Sequence, residues 1–140
     1  MLFYESLTEL SHNISIYSIE KKVIYSVYIQ EIKSDDILSI TSEFEVTNNH
    51  SYNAMIGSSV ILTDCYQCVE GITLDLPNAY NVSPSMHHGV IIKARQFKSK
   101  NEYHDKFINV IAWSAADKSK NGDYLIIEKN YGHLDVFINN

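Results

Sequence analysis

The segment "DILSITSEFEV" (36–46) alternates with period two: Leu38, Ile40, Phe44 and Val46 fall on one face, and Ser39, Thr41, Glu43 and Glu45 on the other. Successive side chains of an extended chain point to opposite sides, so the pattern specifies a strand with one buried and one wet face. Such a strand must lay its apolar face against a second layer, which constrains everything the rest of the chain can do.

The rhythm recurs. In "KKVIYSVYIQEI", Val23, Tyr25, Val27 and Ile29 alternate, with Ile24 and Ile32 adding apolar surface on the other face. Ser34, Asp35 and Asp36 supply turn chemistry, so this segment and 36–46 read as a hairpin. Further strands are expected at "NISIYSI" (13–19), "AMIGSSVILT" (54–63), "GITLDL" (71–76), "GVIIKARQF" (89–97), "KFINVIAW" (106–113), "DYLIIEK" (123–129) and "HLDVFI" (133–138). Turn residues separate them, notably Asn48–Asn49, Pro77–Asn78, Gly122–Asp123 and the stretch from Asn130 to Gly132. Only the first ten residues, with Leu2, Leu7 and Leu10, have the spacing of a helical turn or two. The expected fold is all-β: one domain over residues 1–140, an antiparallel two-sheet jelly-roll sandwich of about eight strands. Residues 1–12 are an N-terminal segment suited to a docking arm.

A chain of 140 residues buries roughly two-thirds of its unfolded surface, so it needs no staple. Seventeen acidic against eleven basic side chains leave a charge of −6, and the basic residues are scattered. Nucleic acid and anionic membrane surfaces, which are gripped by clustered Lys and Arg, are disfavoured as partners. The start lacks the basic n-region of a secretory signal, and no apolar run approaches a membrane span. Synthesis in a cytoplasm is expected, followed by incorporation into a virion or other assembly.

Candidate chemistry is sparse. Cys65, Cys68, His87 and His88 are the atom types of a tetrahedral zinc site. Adjacent histidines on extended chain point to opposite faces, however, and no second Cys-x-x-Cys or spaced His pair completes the set. The cysteines are expected as reduced loop thiols between Thr63 and Ile72, and the histidines as a strand entry. A Cys–His nucleophile would lack a helix dipole to activate it. Asp35, Asp36, Glu43 and Glu45 read as turn and solvent-face residues, and the His-x-His of a cupin is absent. The expectation is no enzyme, with no catalytic, metal or cofactor residues.

Two sets of residues point instead to binding. Tyr52, Tyr66, Tyr80 and Tyr103 stand in expected loops, where their rings could meet a sugar. In "KFINVIAW" and "DYLIIEK" both registers are apolar, which implies burial on both faces. Ile108, Val110, Ala112, Leu125 and Ile127 are therefore expected on an outer face that packs against identical subunits, the alternative cover being a loop of the same chain.

The segments "VIYSVYIQEIKSDDILSITSEFEVTN", "FINVIAWSA" and "NGDYLIIEKNYGHLDVF" resemble the small jelly rolls of the tumour-necrosis-factor and complement-C1q type found in phage particles and on bacterial surfaces. The resemblance implies a homotrimer. On this reading the chain is a non-enzymatic structural component of a phage-like particle, a capsid decoration or tail protein, whose partners are identical subunits and other particle proteins. A lectin-like carbohydrate-binding module is the alternative, with a glycan as partner, and a small metal-dependent enzyme is third.

Overall fold

A computed structural model describes residues 2–7, 13–16, 20–49, 51, 53–83, 89–114 and 125–139. Nine strands occupy them, and no helix: β1 (Leu2–Leu7), β2 (Ile14–Ile16), β3 (Lys22–Ile32), β4 (Ile37–Thr47), β5 (Ala54–Thr63), β6 (Ile72–Val82), β7 (Gly89–Lys98), β8 (Tyr103–Ser114) and β9 (Leu125–Asn139). One sheet runs β1-β9-β4-β7, with β2 also on β9; the other runs β3-β8-β5-β6. All the pairings are antiparallel. The two sheets stack as a jelly-roll sandwich, as the alternation requires.

The alternating residues meet in the middle. Leu38, Ile40, Phe44 and Val46 of β4 are buried against Tyr25, Val27 and Ile29 of β3, together with Leu134, Val136 and Ile138 of β9. Ser42 is the one polar residue in the buried register of β4, and its Oγ has no hydrogen-bond partner. Tyr25 ties the layers together: from β3 its hydroxyl donates across the core to the carbonyl of Glu43 on β4, at 2.9 Å.

Four local expectations are corrected. The segments 22–32 and 37–47 do not pair as a hairpin, because β3 and β4 lie in different sheets. Ser34 and Asp35, the latter at φ 75°, carry the chain over the end of the sandwich, and the Asp36 carboxylate accepts from Lys33 N at 2.8 Å. Leu2–Leu7 is an edge strand on β9 rather than a helical turn, since pairing satisfies backbone groups that so short a helix would leave open. Asn130 to Gly132 is no turn, because β9 runs through it with a register shift opposite Phe44 and Val46, Gly132 taking φ 118°. Likewise β6 runs through Pro77 and Asn78, which is permitted because β6 is an edge strand. The Gly122–Asp123 turn lies outside the described residues.

Candidate functional site

Each sheet has an outer face, and the two are finished differently. On the β3-β8-β5-β6 sheet, the apolar run of β8 is buried from Ile108 to Ala112. Ile108, Val110 and Ala112 belong to the core, as do Leu125 and Ile127 of β9. Their expected place on an outer face is therefore corrected: they fill the sandwich of the single chain, and β8 and β9 belong to different sheets. The alternate residues of β8, Asn109 and Ile111, are buried as well, from the other side.

The loop between β5 and β6 lies over Asn109. Asn109, fully buried, donates from Nδ2 to the carbonyls of Cys65 at 3.0 Å and Cys68 at 2.9 Å, while its Oδ1 accepts from Ser26 Oγ at 2.5 Å. Thr63 donates to Glu70 O at the far end of the loop. A polar side chain in the middle of an apolar run thus anchors the loop by satisfying carbonyls that would otherwise be stranded. Asn109 went unnoticed in the sequence; its signal is to be the lone polar residue among five consecutive buried positions.

Cys65 and Cys68 close that loop as a disulfide, which corrects the expectation of reduced thiols and removes both as thiolate ligands for a metal. Denatured, unreduced protein should give no free thiol on titration; two would show that Asn109 holds the loop without the bridge. His87 and His88 lie outside the described residues. Among the described residues one three-ligand set occurs, Glu31, Glu102 and His104, with ligand atoms within 4.8 Å of one another. Glu102 and His104 are exposed, and His104 Nε2 already meets Glu102 at 2.9 Å.

At the same end, Tyr28 stands 48% exposed against the edge of Phe107, and its hydroxyl donates to Asp105, which adopts φ 53°. That hydrogen bond, reinforced by the negative charge it points at, holds the Tyr28 phenol above its ordinary pKa. Across the sheet, Trp113 lies flat over β5, where a Cβ on Gly57 would fall 2.2 Å from the indole.

The aromatic candidates separate. Tyr66 projects from the disulfide loop at 60% exposure, Tyr80 packs half-buried on the core, and Tyr52 lies outside the described residues. Tyr103 is half-buried and lines a pocket together with Leu62, Asp64, Glu70, Ile72 and Lys106.

The outer face of the other sheet is uncovered by any described segment. Since Leu134, Val136 and Ile138 point inward, His133, Asp135 and Phe137 point out. Phe137 pairs with Phe3 of β1, their ring centroids 4.6 Å apart, and they stay 40% and 50% exposed. These rings form a ridge over β1 and β9. Beyond it Glu5 pairs with Asp135, whose Oδ2 lies 3.3 Å from His133 Nε2. Over β4 and β7 the same face sinks into a shallow groove of about 310 Å³, lined by Ser39, Thr41, Ala94 and Gln96; Arg95, paired with the inward Ile40 and lying over the Phe97 ring, turns to the other side of the sheet. Lys98, paired with Ile37, stands at its end. One half of the face is thus an acid-flanked aromatic ridge, and the other a shallow polar groove with Lys98 at its end.

No family model and no curated protein matches this sequence. The fold, however, is shared with solved structures. A protein of T=1 particles derived from infectious bursal virus superposes with a TM-score of 0.62 at 13% identity, over 96% of this chain and 31% of that one. The VP2 subviral particle of infectious bursal disease virus gives 0.61 at 14% identity, over 96% and 32%. The Eiger TNF of S. frugiperda gives 0.57 at 11% identity, over 96% of this chain and 90% of that one. The chain spans about a third of the length of the viral particle proteins it matches. At these identities the likeness is one of fold: this is a jelly roll of the architecture seen in a viral capsid protein and a TNF.

Proposed function

We propose that this chain is a non-enzymatic assembly protein, a homotrimeric subunit of a virion-like particle, whose copies join through the outer face of the β1-β9-β4-β7 sheet. The observation that carries the reading is the exposed Phe3–Phe137 ridge lying beside a groove of small residues on the same face. Exposed contiguous aromatics on a chain with a filled core mark an association surface. The face is asymmetric, with Glu5 and Asp135 on the ridge side and Lys98 on the groove side. Such a surface is best used head to tail, the ridge of one copy in the groove of the next, and contacts of that kind close into rings. The shared architecture with a capsid protein supports the particle setting at the level of fold.

Charge reversal tests the pairing. Glu5→Lys alone and Lys98→Glu alone should each place like charges across the contact and weaken association several-fold, with the loss steeper at low salt. The double reversal should recover most of it. Additive weakening in the double variant would show that the two do not face each other, and no weakening in either single variant would place them outside the contact.

A further inference from the structure

We infer that the open end of the sandwich carries a binding pocket for a neutral saccharide ring, with Tyr103 as its platform. This goes beyond assembly and is independent of it, since a monomer would carry the same pocket.

The pocket holds about 210 Å³ between the end of β5, the start of β6 and the start of β8. Its floor is apolar: Leu62 is buried, Ile72 is 49% exposed, and Tyr103 packs half-buried on the core. The walls are polar, formed by Thr63, Asp64, Glu70 and Lys106. Two backbone features build it. Asp105 sits at φ 53°, and the facing of β8 changes across it: Phe107 stands with Tyr28 on the outer face, whereas Tyr103 turns onto the core. An Asp in this left-handed conformation is tolerated but uncommon, and in the middle of a strand it re-aims what precedes it. Gly71 keeps the rim tight, because a Cβ there would fall 2.2 Å from the Leu62 carbonyl oxygen.

The lining selects the class of ligand. Lys106 Nζ is already paired with Asp64, and Glu70, highly exposed, stands 3.9 Å from Lys21 Nζ outside the pocket. Each wall carboxylate thus has a cation near it, and the site is better suited to a neutral ligand than to a free ion. What the walls do present, side by side, is a carboxylate acceptor and an ammonium donor. Neighbouring hydroxyls on a pyranose ring meet such a pair naturally, one donating to Asp64 and the other accepting from Lys106. The C–H face of the ring then lies on Tyr103 and Ile72. The volume lies below the ~300–1,000 Å³ of sites for drug-sized ligands, which fits a single ring or the end of a glycan.

Saturation-transfer NMR with the methyl glycosides of glucose, galactose, mannose, xylose and N-acetylglucosamine at millimolar concentration tests this. At least one should receive saturation at its ring hydrogens from the wild-type protein. Tyr103→Phe should retain binding, because the platform and not the hydroxyl is used. Asp64→Asn, at an exposed position that leaves the core untouched, should weaken binding about ten-fold. Ile72→Trp should fill the pocket and abolish binding, with circular dichroism confirming that each variant is folded. The inference is overturned if no glycoside receives saturation, or if binding survives unchanged in both Asp64→Asn and Ile72→Trp.

Discussion

Gly132→Ala should destabilise the protein by about 3 kcal/mol or more and lower its melting midpoint by roughly 10 °C. Gly132 lies where β9 shifts register against β4, at φ 118°, a conformation that side chains rarely adopt. A Cβ there would stand 1.9 Å from the Tyr25 hydroxyl and 2.4 Å from the Glu43 carbonyl oxygen. Those are the two atoms of the hydrogen bond that links the sheets across the core. The bulge and its glycine therefore make room for a side chain that reaches from β3 across the core to the β4 backbone. Tyr25→Phe should cost about 1 kcal/mol by itself and should rescue only part of the Gly132→Ala loss, because the carbonyl clash and the strained φ remain. Thermal unfolding of the two single variants and the double variant measures this. A Gly132→Ala protein within about 0.5 kcal/mol of wild type would mean that the β9 bulge is dispensable.

Phe137→Asp should convert the assembled protein to monomer without unfolding it. The side chain points away from the core, between Phe3 on β1 and Ser39 on β4, so its replacement leaves the sandwich intact. A carboxylate at the crest of the ridge would have to be desolvated in the groove of the next copy, beside the existing charge of Asp135. Loss of one central aromatic commonly costs about 2 kcal/mol or more, roughly a 30-fold rise in dissociation constant. Sedimentation velocity over a concentration series reads the change, with thermal unfolding as the control. Undiminished association of Phe137→Asp would remove the ridge from the contact.

The fold was legible because alternation reports one-sided burial, and it does so regardless of which strand lies alongside. That limit explains the misread hairpin. Ser34, Asp35 and Asp36 make a tight reversal in either case, and nothing local distinguishes a turn within one sheet from a turn over the edge to the other. The doubly apolar run of β8 is buried on both sides, whereas in β9 Ile126 is only half-buried beside the buried Leu125 and Ile127; what covers β8 was hidden. A loop held by Asn109 through backbone carbonyls leaves no mark in the loop's own residue types, apart from Cys65 and Cys68 themselves. Phe137 was visible in "LDVFIN" as an aromatic in the wet register of a strand. Its partner Phe3 was not, because six residues of edge strand carry too short a pattern to reveal their period. Tyr103 stood out as one of four tyrosines in expected loops, but it opens β8 instead; its pocket depends on the reversal at Asp105, which no pattern in the residues announces.

The central claim, that copies of this chain assemble through one face of the sandwich, is tested most directly by the native mass of the wild-type protein. Multi-angle light scattering at micromolar concentration and moderate salt should give three times the mass of the chain, falling toward one on dilution or in Phe137→Asp. A wild-type protein that stays at the mass of a single chain throughout that range would contradict the account.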